Sequence, residues 1–377
     1  MPKKIILFTL QTFSTTGGIQ KMTRTLAHSL FQLSKQGNWN FRLLSLYDSR
    51  YDLMDRYLPA KNFTGFGNHR LRLGWETIIT AENADIVILS HINLSLVGIV
   101  IKLLNPKCRL WLIVHGIEVW RPVNFIKRAF LKIYCDKIVC VSDFTSKQMI
   151  HWHHSDPNKC VVLNNAVDPF VKLPETFEKP EYLLNRYGLI PANQVIFTLT
   201  RLASSEQYKG YELVIKAVSH LKQSFPSIKY ILSGQYDLAE EIRIKGLIHT
   251  YCVHDQVILT GFLKEDELTD HFLLSDLFVL PSKKEGFGIV FVEALTCGLP
   301  VICGNADGST DAIRNGELGT AINVDDLDEL KKAIAGNLQA PLTISKRQKL
   351  QNQCMLHFNE MEYRNNLQKL INDEPVC

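Results

Sequence analysis

Short apolar runs alternate with amphipathic segments along most of the chain. The runs with the length and composition of buried strands cover residues 4–10, 41–46, 86–89, 108–114, 137–142, 195–200, 229–233, 257–261 and 278–280. The segments between them carry apolar residues at helical spacing, as in residues 18–33, where Met22, Leu26, Leu30 and Leu33 recur. Strands that alternate with helices predict an α/β protein built on parallel sheets.

The stretch 278–304, FVLPSKKEGFGIVFVEALTCGLPVICG, is the most informative part of the sequence. It predicts a strand, a glycine-rich loop, a helix over residues 289–296 and a second strand. Glu285 lies in the loop, and Glu293 lies eight residues later inside the apolar helix. A buried carboxylate needs a hydrogen-bond donor, from the protein or from a ligand. A solvated Glu285 and a satisfied core Glu293 are the alternative; a ligand rich in hydroxyl groups would explain both acids.

Two further loops follow predicted strands, at the sheet edge where α/β proteins bind ligands. Gly17 and Gly18 stand at a helix start, where backbone N–H groups and the helix dipole favour an anion, although a tight turn is the commoner explanation of such a pair on its own. His115 follows the strand 108–114, and Glu118 lies on the same loop. An ordinary loop histidine is the alternative to a site residue.

The segment EGFGIVFVEALTCGLPVI closely resembles the E(x7)E segment of the retaining glycosyltransferases of family 4, which have the two-domain GT-B fold. The resemblance implies that Glu285 faces the donor sugar. It also implies that the backbone at Gly286, Phe287 and Gly288 binds sugar hydroxyls and that Glu293 binds the nucleotide ribose.

The segment RLASSEQYKG resembles the R-L…K-G motif of the same family, in which the Arg and the Lys bind the donor diphosphate. The resemblance therefore gives catalytic roles to Arg201 and Lys209. Thr200 replaces a frequent Gly, and the loop is similar to an E-R-Y-K-G variant with Gln207 in place of Arg.

The first half of the chain resembles the family at two of the loops named above. TTGGIQ is similar to its GG loop, which implies that Gly17 and Gly18 lie by the donor phosphates and the acceptor, with Gln20 in place of a frequent Glu. VHGIEVW is similar to its HG segment, which implies that His115 contacts the reacting sugar.

The domain organisation follows from the alternation of strands and helices and from the prolines at 169, 174, 180 and 191. We expect an acceptor-side Rossmann-like domain over residues 1–170, a linker over 171–192 and a nucleotide-sugar-binding Rossmann-like domain over 193–343. Residues 344–377 are expected to form a last helix that crosses back to the first domain. The fold class is thus α/β, GT-B, with two doubly wound domains facing a cleft.

Composition favours a protein of the reducing cytosol. Of 377 residues, 46% are hydrophobic and 21% are charged, and the nine cysteines are scattered without metal-site or disulfide-framework spacing. MPKKIILFTL begins like a signal peptide, but its apolar run is short and is interpreted as a buried strand. Residues 84–104 are interrupted by polar groups and are interpreted as strand, loop and helix rather than a membrane span.

Charge is distributed unequally between the two halves. Residues 1–168 carry 21 Lys or Arg against 11 Asp or Glu, a surplus of +10, whereas residues 169–377 carry 21 against 27, or −6. The segment 122–137 is predicted to be a basic amphipathic helix. It is either an ordinary surface helix or a contact with an anionic membrane. The DxD of Asp326 and Asp328 is interpreted as helix-start charge rather than a metal site.

The resemblance to bacterial polysaccharide mannosyl- and glucosyltransferases implies a retaining, metal-independent hexosyltransferase without a cofactor. The donor would be GDP-mannose, favoured over a UDP-hexose, and the acceptor a glycan or a polyprenyl-diphosphate-linked sugar. We expect a cytoplasmic protein, peripheral at the inner membrane face, that does not bind nucleic acid. The alternatives are a non-catalytic sugar-nucleotide-binding scaffold and an NAD-dependent dehydrogenase, although TTGGIQ lacks the G-x-G-x-x-G that the latter needs.

Overall fold

The computed structural model describes residues 2–373. Within them the chain forms two compact units. The first unit comprises residues 2–171 together with 358–373, and the second comprises residues 172–357.

Every strand is short and pairs in parallel with its neighbours. The strands are β1 (Lys4–Thr9), β2 (Asn40–Ser45), β3 (Phe63–Gly65), β4 (Ile86–Leu89), β5 (Arg109–Val114), β6 (Lys137–Cys140), β7 (Cys160–Val162), β8 (Gln194–Leu199), β9 (Ile228–Ser233), β10 (Val257–Gly261), β11 (Leu277–Leu280), β12 (Val301–Gly304) and β13 (Thr320–Ile322). All nine apolar runs of the sequence form strands, whereas the sequence does not predict β3, β7 and β13, which have three residues each.

Helices connect most of these strands. They are α1 (Gly18–Gln36), α2 (Arg70–Ala81), α3 (Ser95–Leu104), α4 (Phe125–Ala129), α5 (Asp143–His153), α6 (Glu181–Tyr187), α7 (Tyr211–Leu221), α8 (Leu238–Thr250), α9 (Leu268–Leu274), α10 (Ile289–Thr296), α11 (Ser309–Ala312), α12 (Leu327–Gln339), α13 (Ile344–Phe358) and α14 (Glu360–Ile371). A π-helical turn, Phe130–Tyr134, continues α4. Because parallel strands need such crossovers, the connectivity agrees with the α/β prediction.

The sheet of the first unit has seven strands in the order β3-β2-β1-β4-β5-β6-β7. Its central strands are apolar and buried on both faces, as expected when helices cover both sides of a parallel sheet. The chain reverses its direction of winding between β1 and β4. That point is where doubly wound sheets bind their ligands, so the loops after β1, β4 and β5 are placed for function.

The second unit repeats this plan with six strands in the order β10-β9-β8-β11-β12-β13. Its core includes the fully buried Phe197 of β8 and Phe278 of β11, whose rings meet edge to face at 5.8 Å. Here the winding reverses between β8 and β11, and the loops that follow those two strands contain the motifs singled out in the sequence.

Three predicted segments differ from the structure. The single helix predicted over residues 344–377 is two helices within the described part, because Asn359 interrupts it and caps α14 by accepting from the Glu362 N–H at 2.8 Å. Residues 374–377 of that prediction lie outside the described residues. The basic helix predicted over residues 122–137 is shorter, and Asn124 caps it. The linker predicted over residues 171–192 contains α6.

Residues 84–104 form β4, a loop and α3, as the sequence predicts. Between residues 2 and 373 there is no helix whose length and hydropathy suffice to cross a bilayer.

Candidate active site

Two of the predicted catalytic residues meet at the switch point of the second unit. Lys209 follows β8 and Glu285 follows β11, the neighbouring strand. Their side chains form an ion pair, with 2.5 Å between Lys209 Nζ and Glu285 Oε1. A cation and an anion are therefore fixed together at the edge of the sheet where ligands bind.

Close backbone approach explains why the two loops meet. Gly210 has φ +81°, and a Cβ atom there would lie 2.1 Å from the carbonyl oxygen of Pro281. The Lys283 N–H also donates to the Tyr208 carbonyl at 2.9 Å. Only glycine allows this contact. The glycine of the K-G dipeptide therefore holds the backbone of Lys209 beside the loop that carries Glu285.

The ion pair determines the charge state of the lysine. Lys209 is 9% exposed. Burial by itself lowers the pKa of the Lys209 amine, but the adjacent Glu285 carboxylate outweighs burial, and the pKa is raised. An ammonium group has three N–H donors, of which one points to Glu285. Lys209 is thus held as a cation, and two donors remain to interact with an anionic ligand.

Arg201, the other predicted cation, lies two residues beyond the end of β8. Its side chain is 71% exposed, and its Nη1 lies 3.0 Å from Glu206 Oε1. Because this contact is at the surface, it holds the guanidinium only loosely. A diphosphate, which a guanidinium binds through two parallel hydrogen bonds, can replace Glu206 as its partner.

Asp307, in the loop after β12, supports Glu285 and was not identified from the sequence. Its buried carboxylate accepts from the backbone N–H of Glu285 at 2.7 Å and from that of Ser309 at 2.9 Å. Gly308, the next residue, lies so close to the loop of Glu285 that a Cβ atom there would be 2.1 Å from the Gly286 carbonyl oxygen. Burial raises the pKa of Asp307 to about 7, despite these hydrogen bonds.

This raised pKa predicts a pH dependence that Asp307→Asn removes. The folded protein holds a proton on Asp307 that the unfolded chain releases near pH 4, so this group stabilises the fold most at acid pH. The contribution disappears as the pH rises through 7. Urea unfolding at pH 4 and pH 8 should show the wild type losing about 4 kcal/mol more than the variant over this range. Equal losses in the two proteins would contradict the assignment.

Glu240, on the first turn of α8, anchors the loop that carries Lys209. It is fully buried and accepts from the Tyr211 hydroxyl, from Gln207 Nε2 at 3.2 Å and from Arg243 Nε at 2.8 Å. Burial by itself raises the pKa of Glu240, but the hydrogen bonds that it accepts outweigh burial. The pKa of Glu240 is therefore lowered, and the carboxylate is ionised. The loop thus rests on a charged cluster beneath it.

The remaining predicted donor-binding residues of this unit line the start of α10. Gly286 is half-buried, Phe287 is buried, and Gly288 precedes the helix with φ +78°. Glu293 lies on the helix and is half-buried rather than fully buried in the core. Asp326 accepts from the N–H groups of Asp328 and Glu329, the helix-start role that the sequence predicts for the DxD.

In the first unit, Gly17 and Gly18 lie where β1 leads into α1. The helix begins at Gly18, and its N-cap residue, Gly17, offers no side-chain oxygen to the first N–H groups. The helix has 19 residues, so its dipole reinforces these donors. This arrangement agrees with the anion-binding role predicted for the two glycines, which stays a prediction.

Asp48, which follows β2, holds the loop between β1 and Gly17 in place. It was not identified from the sequence. It is fully buried and accepts from the backbone N–H groups of Thr12, Phe13 and Ser14 at 2.7 to 3.2 Å. The hydroxyls of Ser14 and Ser45 also donate to it, at 2.5 and 2.6 Å. Five hydrogen bonds to one carboxylate fix the loop rigidly.

His115 lies directly after β5, and its ring is bound to the end of β4. Nε2 lies 3.0 Å from the Ser90 carbonyl oxygen, and the backbone N–H donates to Glu118 Oε1 at 2.5 Å. Burial lowers the pKa of His115 to about 4, so the imidazole is neutral at physiological pH. A carbonyl only accepts, so the proton is on Nε2 and Nδ1 is the acceptor of the ring.

His91 is a neighbour of this histidine that the sequence reasoning did not select. Its Nδ1 accepts from the Asn93 N–H at 3.0 Å. Burial lowers the pKa of His91, and the Glu118 carboxylate partly offsets that effect. The ends of β4 and β5 therefore present two imidazoles beside the Glu118 carboxylate. The position of His91 just past a strand is the sequence feature that could have identified it.

Family models match both halves of the chain. The model of Glycosyltransferase Family 4 matches residues 16–169, and the model of Glycosyl transferases group 1 matches residues 190–354. The first match contains Gly17, Gly18 and His115, and the second contains Arg201, Lys209, Glu285 and Glu293.

Two mycobacterial enzymes are among the curated relatives. A D-inositol 3-phosphate glycosyltransferase of Mycobacterium marinum is 29% identical over 208 residues, which cover 54% of this chain and 42% of that protein. A GDP-mannose-dependent alpha-(1-6)-phosphatidylinositol monomannoside mannosyltransferase of Mycolicibacterium smegmatis is 28% identical over 163 residues, 41% of each chain. The chain thus spans less than half the length of the curated relatives it matches.

Among solved structures, Anabaena Alr3699/HepE in complex with UDP and glucose is similar over almost the whole chain. The alignment covers 98% of this chain and 99% of that one, with a TM-score of 0.78 and 18% identity. This likeness concerns the fold, and it confirms the α/β, GT-B class predicted from the sequence.

Proposed function

Because the chain belongs to the family 4 glycosyltransferases, we propose that it transfers a hexose from a nucleoside-diphosphate sugar to a glycan or lipid-linked sugar. The proposed transfer retains the configuration of the sugar and needs neither a metal ion nor a further cofactor. The observation that carries the proposal is the Lys209–Glu285 pair, with Arg201, at the switch point of the second unit.

The two cations suit the step in which the sugar leaves the diphosphate. As the glycosidic bond breaks, negative charge develops on the departing phosphate oxygen, and fixed cations lower the energy of that state. Lys209 keeps two N–H donors beyond its contact with Glu285, and Arg201 supplies a planar fork at the strand end. These residues would do what a metal ion does in other transferases, which supports metal independence.

Carboxylates and backbone groups suit the uncharged parts of the donor. Glu285 can accept from sugar hydroxyls while it remains paired with Lys209, because a carboxylate has four acceptor sites. Glu293 is proposed to bind the ribose, and the backbone at Gly286–Gly288 is proposed to bind the sugar. The role of His115 at the reacting sugar stays a prediction, which the neutral ring and its acceptor Nδ1 support.

The relatives support a choice of donor and acceptor. The Mycolicibacterium enzyme is GDP-mannose-dependent and acts on a phosphatidylinositol monomannoside, which favours mannose and a lipid-linked acceptor. The Anabaena structure holds UDP and glucose, which keeps a UDP-hexose as the second candidate. A lipid-linked acceptor would place the protein in the cytoplasm, peripheral at the inner face of the membrane.

Turnover of defined donors tests the proposal. Purified protein is incubated with GDP-mannose, UDP-glucose or UDP-galactose and a glycolipid extract, with and without EDTA, and the released diphosphate is quantified. We expect GDP release from GDP-mannose, unchanged by EDTA, and an α-linked product by NMR. Loss of turnover with EDTA or a β-linked product would contradict the mechanism. Nucleotide binding without turnover of any donor would instead indicate a non-catalytic scaffold.

A further inference from the structure

Helix α2 exposes an unusual number of apolar side chains. Leu71 is 91% exposed, Trp75 67%, Ile78 43% and Ile79 50%. They lie at positions i, i+4, i+7 and i+8, so they form one stripe along the helix. The opposite side packs normally, since Leu73 and Thr77 are buried.

Helix α3, which contacts α2, carries the same pattern. Leu96 is 60% exposed, Val100 38%, Leu103 64% and Leu104 51%, again at i, i+4, i+7 and i+8. Helix α4 and its π-turn contact α3 in turn and expose Phe125 and Ile133. These ten residues of three adjacent helices, all in the first unit, are called the apolar face below.

The apolar face is more than the scattered exposure that every soluble protein shows. Single exposed apolar residues need no explanation, but a contiguous set on neighbouring helices marks a contact surface. Trp75 and Phe125 are the large aromatic residues that enter the boundary between water and lipid.

The charges of the same three segments are mostly positive. Residues 70–81, 95–104 and 125–134 contain six cations (Arg70, Arg72, Lys102, Lys127, Arg128 and Lys132) and one acid, Glu76, a difference of +5. Glu76 is already paired with Arg42 at 2.8 Å. Arg70, Arg72, Arg128 and Lys132 are exposed. The partner of this surface should therefore be both apolar and anionic.

A wide basic cavity borders the apolar face. It has a volume of about 1010 Å³ and shares Ile79 with the face. Its described lining includes Lys4, Lys35, Lys61 and Arg42, of which Arg42 pairs with Glu76, and contains no carboxylate. Beside an apolar surface, such a group of cations suits the phosphates of lipid head groups.

We propose that the apolar face docks the protein onto an anionic lipid bilayer. The apolar stripes would enter the boundary of the acyl chains while the arginines and lysines extend to the head groups. A second copy of this chain suits the surface less well, because it would bring like charges together. The proposal deepens the proposed function, on which it rests only for the identity of the acceptor.

Vesicle sedimentation tests the apolar stripes. Wild-type protein and Leu71→Ser/Trp75→Ser are mixed at low salt with vesicles of phosphatidylcholine alone or with 30% phosphatidylglycerol. We expect binding that requires the anionic lipid and a partition coefficient at least about tenfold lower in the variant. Leu238→Ser, which changes a residue that is 72% exposed on α8, should bind as the wild type does.

Removal of cations tests the contribution of the basic residues to vesicle binding. Arg72→Gln/Arg128→Gln/Lys132→Gln should weaken binding by roughly fivefold for each charge, and 0.5 M salt should have a similar effect on the wild type. Equal binding to neutral vesicles, or full binding by the serine variant, would overturn the proposal. So would a wild-type dimer that the serine variant dissociates, since the face would then join two copies. The affinity for free GDP or UDP should not change in these variants, which separates this test from that of the transferase activity.

Discussion

Replacing Lys209 by methionine is expected to lower the turnover number for the nucleotide sugar by about 10²–10³-fold. Methionine has a similar length and shape but no charge, so it leaves the departing diphosphate without its buried cation. Glu285 also loses its ion-pair partner, and we expect the free energy of unfolding to fall by about 1–3 kcal/mol. Initial rates of diphosphate release measure the first effect, and urea unfolding measures the second.

Lys283→Met is the matched control for this variant. Lys283 lies on the Glu285 loop and pairs with Asp325 at 2.5 Å, but it is half exposed. Its replacement should leave turnover within about threefold of the wild type, because surface ion pairs contribute little. If Lys209→Met retained turnover at the level of this control, the diphosphate role of Lys209 would be wrong.

Replacing Glu285 by glutamine should separate recognition of the sugar from recognition of the nucleotide. Glutamine keeps the shape but not the charge, so it binds sugar hydroxyls more weakly in the transition state, and kcat/KM should fall about 10²-fold. The affinity for free GDP or UDP should stay the same or rise, because Lys209 no longer shares its charge with a carboxylate. Lys209→Met, in contrast, should weaken nucleotide binding.

Calorimetric titration with the free nucleotide and steady-state kinetics with the sugar nucleotide measure these two quantities. Glu212→Gln is a suitable control, because Glu212 is also an acid paired with a cation. It lies on the neighbouring α7 and pairs with Arg243 of α8 at 2.6 Å. Equal losses of nucleotide affinity and turnover in Glu285→Gln would place Glu285 at the diphosphate rather than at the sugar.

Local periodicity explains how much of the fold the sequence predicts. Strands such as β4 and β11 are short apolar runs bounded by polar or turn residues. Helix α10 lies between Gly288, its N-cap, and Gly298, which follows its C-cap Cys297. Position after a predicted strand drew attention to Glu285 and His115, because parallel strands place their carboxyl ends at one edge. The resemblance to the family then assigned their roles, and it selected Lys209, which lies ten residues beyond the end of β8.

The supporting acids could not be predicted in the same way. Asp48 and Asp307 act through loops 34 and 22 residues distant in sequence, so only the packed chain shows what their carboxylates bind. Glu240 is misleading even locally. It stands three residues after Asp237 like the acid of a capping box, yet it binds Tyr211, Gln207 and Arg243.

The break between α13 and α14 is different, because its signal was present. Asn359 is followed three residues later by Glu362, the pattern of a helix N-terminus, and it forms that cap. The continuous amphipathic pattern obscured it. The exposed stripes of α2 and α3 could not be predicted for a related reason. Periodicity shows that a helix has apolar positions, but it does not show which of them the rest of the protein covers.

The measurement that tests the central claim most directly is a thermal-shift panel of GDP, UDP and ADP on the wild type, Arg201→Ala and Arg186→Ala. The account predicts that one nucleotide stabilises the wild type, by about 2.7 kcal/mol at 100 times its Kd. Arg201→Ala should lose that stabilisation at the same concentration while its Tm without nucleotide stays the same, since the side chain is 71% exposed. Arg186→Ala, which removes another surface arginine paired with an acid, should respond like the wild type. No shift with any nucleotide, or an undiminished shift in Arg201→Ala, would contradict a donor diphosphate site at this end of β8.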